Sequence, residues 1–166
     1  LYRAGGVNNI GSLRSIRVMR GSNCIADLDV YDYILKGKLL DDIRLMEGDV
    51  IIVPPYEKLV DISGKVKRPM YYEMKKNETL ATLIKYAGGF SGDAYTKGVR
   101  LVRQSGREYK LFNIDEMDYS VFHLDDGDAV TVGSILDRFE NRVEVRGAVY
   151  RSGMYELSGN MNTVKQ

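Results

Sequence analysis

The chain has 166 residues, 24 basic against 23 acidic, and 44% of them are hydrophobic. That composition excludes a disordered chain, and the balanced charge argues against a dedicated nucleic-acid surface, which shows as a basic excess or stripe. One cysteine (Cys24) and one histidine (His123) exclude an intrachain disulfide, a cysteine-based zinc site and a multi-histidine metal site, and no window approaches 18 apolar residues.

In chain order, Ala4-Gly5-Gly6 reads as the end of a helix, because glycine takes the left-handed C′ conformation without a Cβ clash. Ile16–Arg20 is then a strand and Cys24–Leu28 its partner, with Cys24 expected as a small buried apolar residue. Glu47-Gly48-Asp49 is a turn leading into a strand that Pro54-Pro55 stops. Val60, Ile62 and Gly64 alternate with Asp61 and Ser63, the period-2 pattern of a half-buried strand. Lys67-Arg68-Pro69-Met70 turns the chain, and the aromatic-rich Tyr71–Met74 returns, completing a hairpin. Asn77 or Thr79 caps a short helix whose stripe is Leu80, Leu83, Ile84 and Ala87, and Gly88-Gly89 ends it. Glycines that close a helix do not cradle phosphate, since anion sites need them at its opening. Val99–Arg103 and Tyr109–Ile114 are further strands around a Ser105-Gly106 turn. Leu124–Asp128 turns into a last strand at Ala129–Val132.

The hairpin then returns. Val60–Met74 (VDISGKVKRPMYYEM) is echoed by Val143–Leu157 (VEVRGAVYRSGMYEL) at a spacing of 83 (143 − 60), with six identities in fifteen positions. The same spacing joins Ala4-Gly5-Gly6 to Ala87-Gly88-Gly89, Arg17 to Arg100 and Arg20 to Arg103, while Leu45–Val53 matches Leu124–Val132 at 79 (124 − 45). A fixed period means stacked copies of one supersecondary unit. The unit order is hairpin, helix, then two or three strands, so the expected fold class is α+β: tandem β-grasp repeats, each a mixed sheet with one helix. Residues 1–57 form an incomplete first repeat lacking its leading hairpin, 58–135 a complete second repeat, and 136–166 a linker plus the hairpin of a third. Thr163–Gln166 is read as the opening of that third helix. The flanking partial repeats are complementary and are expected to complete each other, within one chain or by swapping between chains. The chain is expected to be an excerpt of a longer polypeptide.

The run V-x-[IV]-x-G-x-V-x-R-[PS], then Y-E-[ML], a T-L-x-x-L-I-x-x-A-G-G helix and G-D-x-[IV]-x-V, resembles the soluble-ligand-binding β-grasp (SLBB) repeat. Tandem copies ending in GDVIIVPP, as at Gly48–Pro55, resemble outer-membrane polysaccharide export proteins. Ser152 and Gly153 depart from Pro69 and Met70 as turn changes, and the family's export-signature domain is absent from these residues. The resemblance implies a periplasmic segment of an oligomeric channel for capsular or exopolysaccharide. Its partners would be copies of itself in a ring or swapped assembly, polysaccharide, and inner-membrane export machinery. It implies no cofactor, no nucleic acid and no membrane insertion by this segment. The alternative is a small-ligand or carbohydrate-binding β-grasp module of another cell-envelope system.

The residues point to scaffolding rather than catalysis. His123, between Phe122 and Leu124, reads as a partly buried structural histidine. Asp125, Asp126 and Asp128 read as a turn, because the twelve-position ligand spacing and closing glutamate of a calcium loop are missing. No two carboxylates stand out as an acid/base pair, so no enzyme is expected. Arg68, Tyr72, Arg100, Arg103, Arg151 and Tyr155 are the candidate contacts to glycan or a neighbouring subunit, since guanidinium forks grip acidic groups and tyrosine rings stack. For the recurring arginines Arg17, Arg20, Arg100 and Arg103 the plainer reading is a solvated strand face, and for the tyrosines an interface or core.

Overall fold

The computed structural model describes residues 2–37, 43–157 and 159. They divide into two units, Leu1–Ser134 and Ile135–Gln166. The helix opening expected at 163–166 lies outside the described residues.

The first unit begins with a 3-10 turn, Tyr2–Ala4, closed by Gly5 and Gly6 at φ of 84° and 90°. The expected helix end is thus a single tight turn. β1 (Ile16–Arg20) pairs antiparallel with β2 (Asn23–Leu28), and a register shift between Val18 and Met19 marks a bulge. The helix α1 (Val30–Lys36) follows. Asp29 caps it by accepting the Tyr31 N–H at 3.0 Å, and Gly37 closes it in the left-handed region. β3 (Asp49–Ile52) returns antiparallel to β1, making a three-stranded sheet ordered β2-β1-β3.

β4 (Lys58–Gly64) and β5 (Met70–Met74) form the expected hairpin, α2 (Leu80–Tyr86) packs across it, and β6 (Gly98–Ser105), β7 (Glu108–Asp115) and β8 (Ala129–Val132) complete a five-stranded mixed sheet. Its order is β5-β4-β8-β6-β7, with β4 parallel to β8 and every other pair antiparallel. The fold is therefore α+β. All four residues of the α2 stripe are buried, together with Val60, Ile62, Leu101, Val130 and Val132 from the sheet. Thr79 holds the N-cap position without a side-chain bond. The Leu80 and Ala81 N–H groups instead donate to the Phe122 and Tyr119 carbonyls, so the loop before β8 caps the helix. Gly64, at φ +82°, lies so close to β8 that a Cβ there would overlap the Val132 carbonyl oxygen.

In the second unit, β9 (Arg142–Val145) and β10 (Gly153–Glu156) form an antiparallel hairpin. Its details repeat those of β4–β5. Tyr155 Oη donates to the Arg151 carbonyl at 2.8 Å as Tyr72 Oη does to Arg68 at 2.9 Å, and Gly147 keeps the positive φ of Gly64.

Two expectations need correction. Cys24 is exposed, because it lies on β2, an edge strand. His123 is exposed as well. Its backbone bridges Thr79 and its carbonyl receives Arg103, so it is the peptide group, not the imidazole, that is structural.

Candidate functional site

Residues 2–55 and 58–134 meet within the first unit around one buried arginine. Arg14, just ahead of β1, is 4% exposed and uses all five guanidinium N–H groups. Nε donates to Asp29 at 3.0 Å, Nη1 to the Glu73 carbonyl at 3.0 Å and to Glu78 at 2.9 Å. Nη2 donates to Glu78 at 2.8 Å and to Tyr86 Oη at 3.2 Å. The guanidinium also lies 4.5 Å from the Tyr31 ring centroid and 5.3 Å from that of Tyr86, two rings that meet edge to face. Around it, the buried Glu73 carboxylate accepts Ser12 Oγ and the Leu13 N–H, the Glu73 N–H donates to Tyr31 Oη, and Lys75 reaches Asp29. Tyr31 and Leu35 carry α1 onto the core of the five-stranded sheet.

Burial alone would raise the Glu78 carboxyl, but bonds from Arg14, Tyr86 and the Lys75 N–H hold it below its usual value. Burial, then the bond to Glu78, pushes the Tyr86 phenol well up. Glu78 is thus kept ionised as a counter-ion, and nothing here prepares it to carry a proton to a substrate. Every buried side-chain polar atom among the described residues has a partner. Above this floor opens a cleft of about 490 Å³, rimmed by Ser15, Arg17, Asp27, Lys75, Lys76 and Asn77.

A second polar motif occurs twice. Arg20 Nε and Nη2 grip Asp49 at 2.8 and 2.9 Å, and Arg103 grips Asp128 in the same fork at 2.8 and 2.7 Å. In both copies the aspartate also accepts a turn N–H, from Met46 at 2.9 Å and Asp125 at 2.8 Å. In both, the arginine reaches a carbonyl, that of Arg44 or His123. The Arg20 guanidinium, with the Met46 N–H, lowers the Asp49 carboxyl to about 2. Arg103 additionally sits between Phe112 and Phe122, 5.4 and 5.5 Å from their ring centroids. Arg20 and Arg103 are therefore clamps on the turn before a strand, not a solvated face, and the acidic knot at 125–128 is their counterpart.

The six candidate contacts do not converge. Tyr72 is buried against the hairpin, and Arg68 lies over the C-terminal end of α2, donating to the Tyr86 carbonyl at 3.0 Å. Arg100 and Arg103 lie on opposite faces of β6 because their separation is odd. Arg100 is exposed and borders a smaller cleft of about 240 Å³ with Tyr95, Lys97 and Asn113. Arg151 and Tyr155 lie on the hairpin of the second unit, exposed. Sequence reasoning missed Arg14. The only local sign was Asp29 ahead of an amphipathic turn ending at Gly37, because its other partners lie about sixty or more positions away.

The stretch from the second residue of β4 to the middle of β7 matches the SLBB domain family, over residues 59–112. The matched stretch holds most of the β4–β5 hairpin, α2, β6 and the first part of β7, so Glu73, Glu78 and Tyr86, which receive Arg14, all lie within it. Over 159 residues, 95% of the chain, the sequence is also 26% identical to the polysialic acid transport protein KpsD of Escherichia coli, found in two versions. The chain spans 27% of the length of that relative. Among the described residues no helix is long and apolar enough to cross a membrane.

Proposed function

We propose that this chain is a periplasmic scaffold segment of a polysaccharide export protein, built from tandem β-grasp repeats that pack against copies in other subunits. The observation carrying this reading is the similarity to a polysialic acid transport protein along 95% of the chain, joined to an SLBB domain within it. The strand order β5-β4-β8-β6-β7 with α2 across it supports a β-grasp for 58–134. The recurrence of the Arg–Asp clamp supports a second, partial copy in 1–57, and the recurring hairpin supports a third in 136–166. The Arg14 junction gives such a segment what a scaffold needs: consecutive repeats locked by a satisfied polar network rather than joined by a loose linker. Glycan contact on this reading is lateral and weak, through cations with no carboxylate partner. Among the described residues Arg100 and Arg151 fit that requirement, and Arg17 at the rim of the larger cleft joins them. The envelope partners are the inner-membrane machinery that delivers the polymer.

The test is genetic and chemical together. Deleting the gene in its own host should abolish surface polysaccharide and leave the polymer inside the envelope, with restoration by the intact gene. Unchanged surface polysaccharide in the deletion strain would refute the reading.

A further inference from the structure

Two arginines recur at the spacing of 83, and their copies meet different fates. Arg20 and Arg103 each grip an aspartate. Arg17 and Arg100 are exposed, and their side chains make no hydrogen bond or ion pair among the described residues. Each of these two stands in a cleft. Ser15 and Arg17 line the cleft of about 490 Å³, and Gly98 and Arg100 line that of about 240 Å³, the same positions moved by 83 (98 − 15, 100 − 17). Both clefts lie within the 1–134 unit.

The strand register makes the chemistry recur. Arg17 on β1 stands opposite Asp27 on β2, and Arg100 on β6 stands opposite Asn113 on β7, with Asp115 two residues further on the same face. Asn77 completes the first set. Each cleft thus holds an arginine, an aspartate and an asparagine, all exposed and with no side-chain bond to another described residue. The other rim charges are already matched: Lys75 to Asp29 at 2.7 Å, Lys97 to Glu116 at 2.7 Å, and Lys76 to Glu57 at 4.0 Å.

We infer that Arg17 and Arg100 anchor two equivalent sites for a carboxylated sugar unit. The inference rests on the polysaccharide-export reading and deepens it, by naming an acidic class of glycan and the residues that meet it. A guanidinium fork binds a carboxylate through two parallel N–H···O bonds. A simple anion would use that fork alone and be repelled by the aspartate in the same cleft. A sugar acid uses all three groups, because its hydroxyls donate to the aspartate while the amide both donates and accepts. The smaller cleft adds an aromatic wall, Tyr95, which is 50% exposed. Its N–H donates to the Gly133 carbonyl at 2.9 Å, and the next carbonyl, of Thr96, accepts Tyr119 Oη at 3.1 Å, so the ring is carried on pinned backbone. Gly98 lies outside the left-handed region, so its backbone does not demand glycine, and a Cβ there would stand 3.9 Å from the Tyr95 ring. The missing side chain keeps open the space beside an amphipathic ring that can stack on a sugar face. Both volumes are small on the scale of ligand pockets, so each site holds a short piece of a polymer. A chain of repeating acidic units presents the same group to both sites and can pass on.

The experiment records proton–nitrogen correlation spectra of the whole chain at low salt while a galacturonic acid hexamer is added. A neutral galactose hexamer, and sodium acetate at equal carboxylate concentration, are the comparisons. Saturable shifts are expected at the amides around both arginines. Arg17→Gln and Arg100→Gln should each weaken binding at their own site roughly tenfold and leave the other unchanged. Neither should move the unfolding midpoint, because neither side chain is bonded in the fold. Equal shifts from acetate would mean an adventitious ion only and overturn the inference, as would equal binding of the neutral hexamer. Shifts at one arginine alone, or at neither, overturn it too. The deletion strain separates this failure from that of the export reading: surface polysaccharide lost there keeps the reading without these sites, and surface polysaccharide unchanged there removes the reading whatever the spectra show.

Discussion

Arg14 shows how much of this protein rests on single side chains. A buried guanidinium with five satisfied donors stabilises only as part of its network, and removing it strands Glu78 and Asp29, whose side chains are 16% and 12% exposed. Arg14→Met is therefore expected to cost about 3 kcal/mol in urea unfolding, the size typical of breaking a buried pair. Arg14→Lys should recover only part of that loss, because an ammonium lacks the planar fork. Acid should act on the same groups. Glu78 and Asp49 both titrate lower in the folded chain than in the unfolded one, so the stability they contribute is complete above the unfolded carboxylate range. It is lost as pH falls from about 4 towards 2. Unfolding midpoints measured from pH 7 to pH 2 should fall across that window, and Arg20→Gln should remove the lower part of the fall. Of these groups, the Arg20–Asp49 pair was legible as a repeat, since Arg20 and Arg103 recur at a spacing of 83. Its meaning was not, because a period shows that a residue recurs without showing what it touches.

At the scale of elements, local chemistry and period decide most of what forms. The α2 stripe at Leu80, Leu83, Ile84 and Ala87 is buried as its 3.6 spacing requires, and Leu83→Ala should cost roughly 2–5 kcal/mol in the same unfolding measurement. The β4 end depends on a close backbone approach. Gly64→Ala meets the Val132 carbonyl and an unfavourable positive φ together, so a large loss of stability is expected by thermal unfolding. Gly147→Ala, where nothing stands within 4 Å, should disturb the isolated hairpin by the φ term alone. The capping of α2 illustrates the limit of reading helices locally. Asn77 and Thr79 are good capping residues, yet the N–H groups of Leu80 and Ala81 find carbonyls of the distant loop at 119–122. The exposure of Cys24 has a similar cause, since a strand-like run cannot reveal that its strand lies at a sheet edge.

At the scale of the molecule, the 1–134 unit joins two segments that the repeat treats as separate. Tyr31 and Leu35 from α1 reach the core of the five-stranded sheet, and Ser12, Leu13 and Arg14 bind Glu73 and Glu78. The unit should therefore unfold in one transition, with coincident midpoints by fluorescence and far-ultraviolet circular dichroism. Tyr31→Ala removes both the ring contact and the acceptor for the Glu73 N–H, and it should split that transition or lower its denaturant dependence.

The sequence alone determined the α+β class, the hairpin–helix–strand order of residues 58–134 and the recurrence of the hairpin, because side-chain period and turn chemistry are local and survive without long-range information. Tertiary structure decided how neighbouring segments lock together. That lock depends on one arginine whose carboxylate, carbonyl and phenol partners are brought to it by the sheet and by α1. It also decided that β2, and Cys24 with it, lies at a sheet edge, since whether a strand has a neighbour depends on the assembled sheet and not on the strand's own residues.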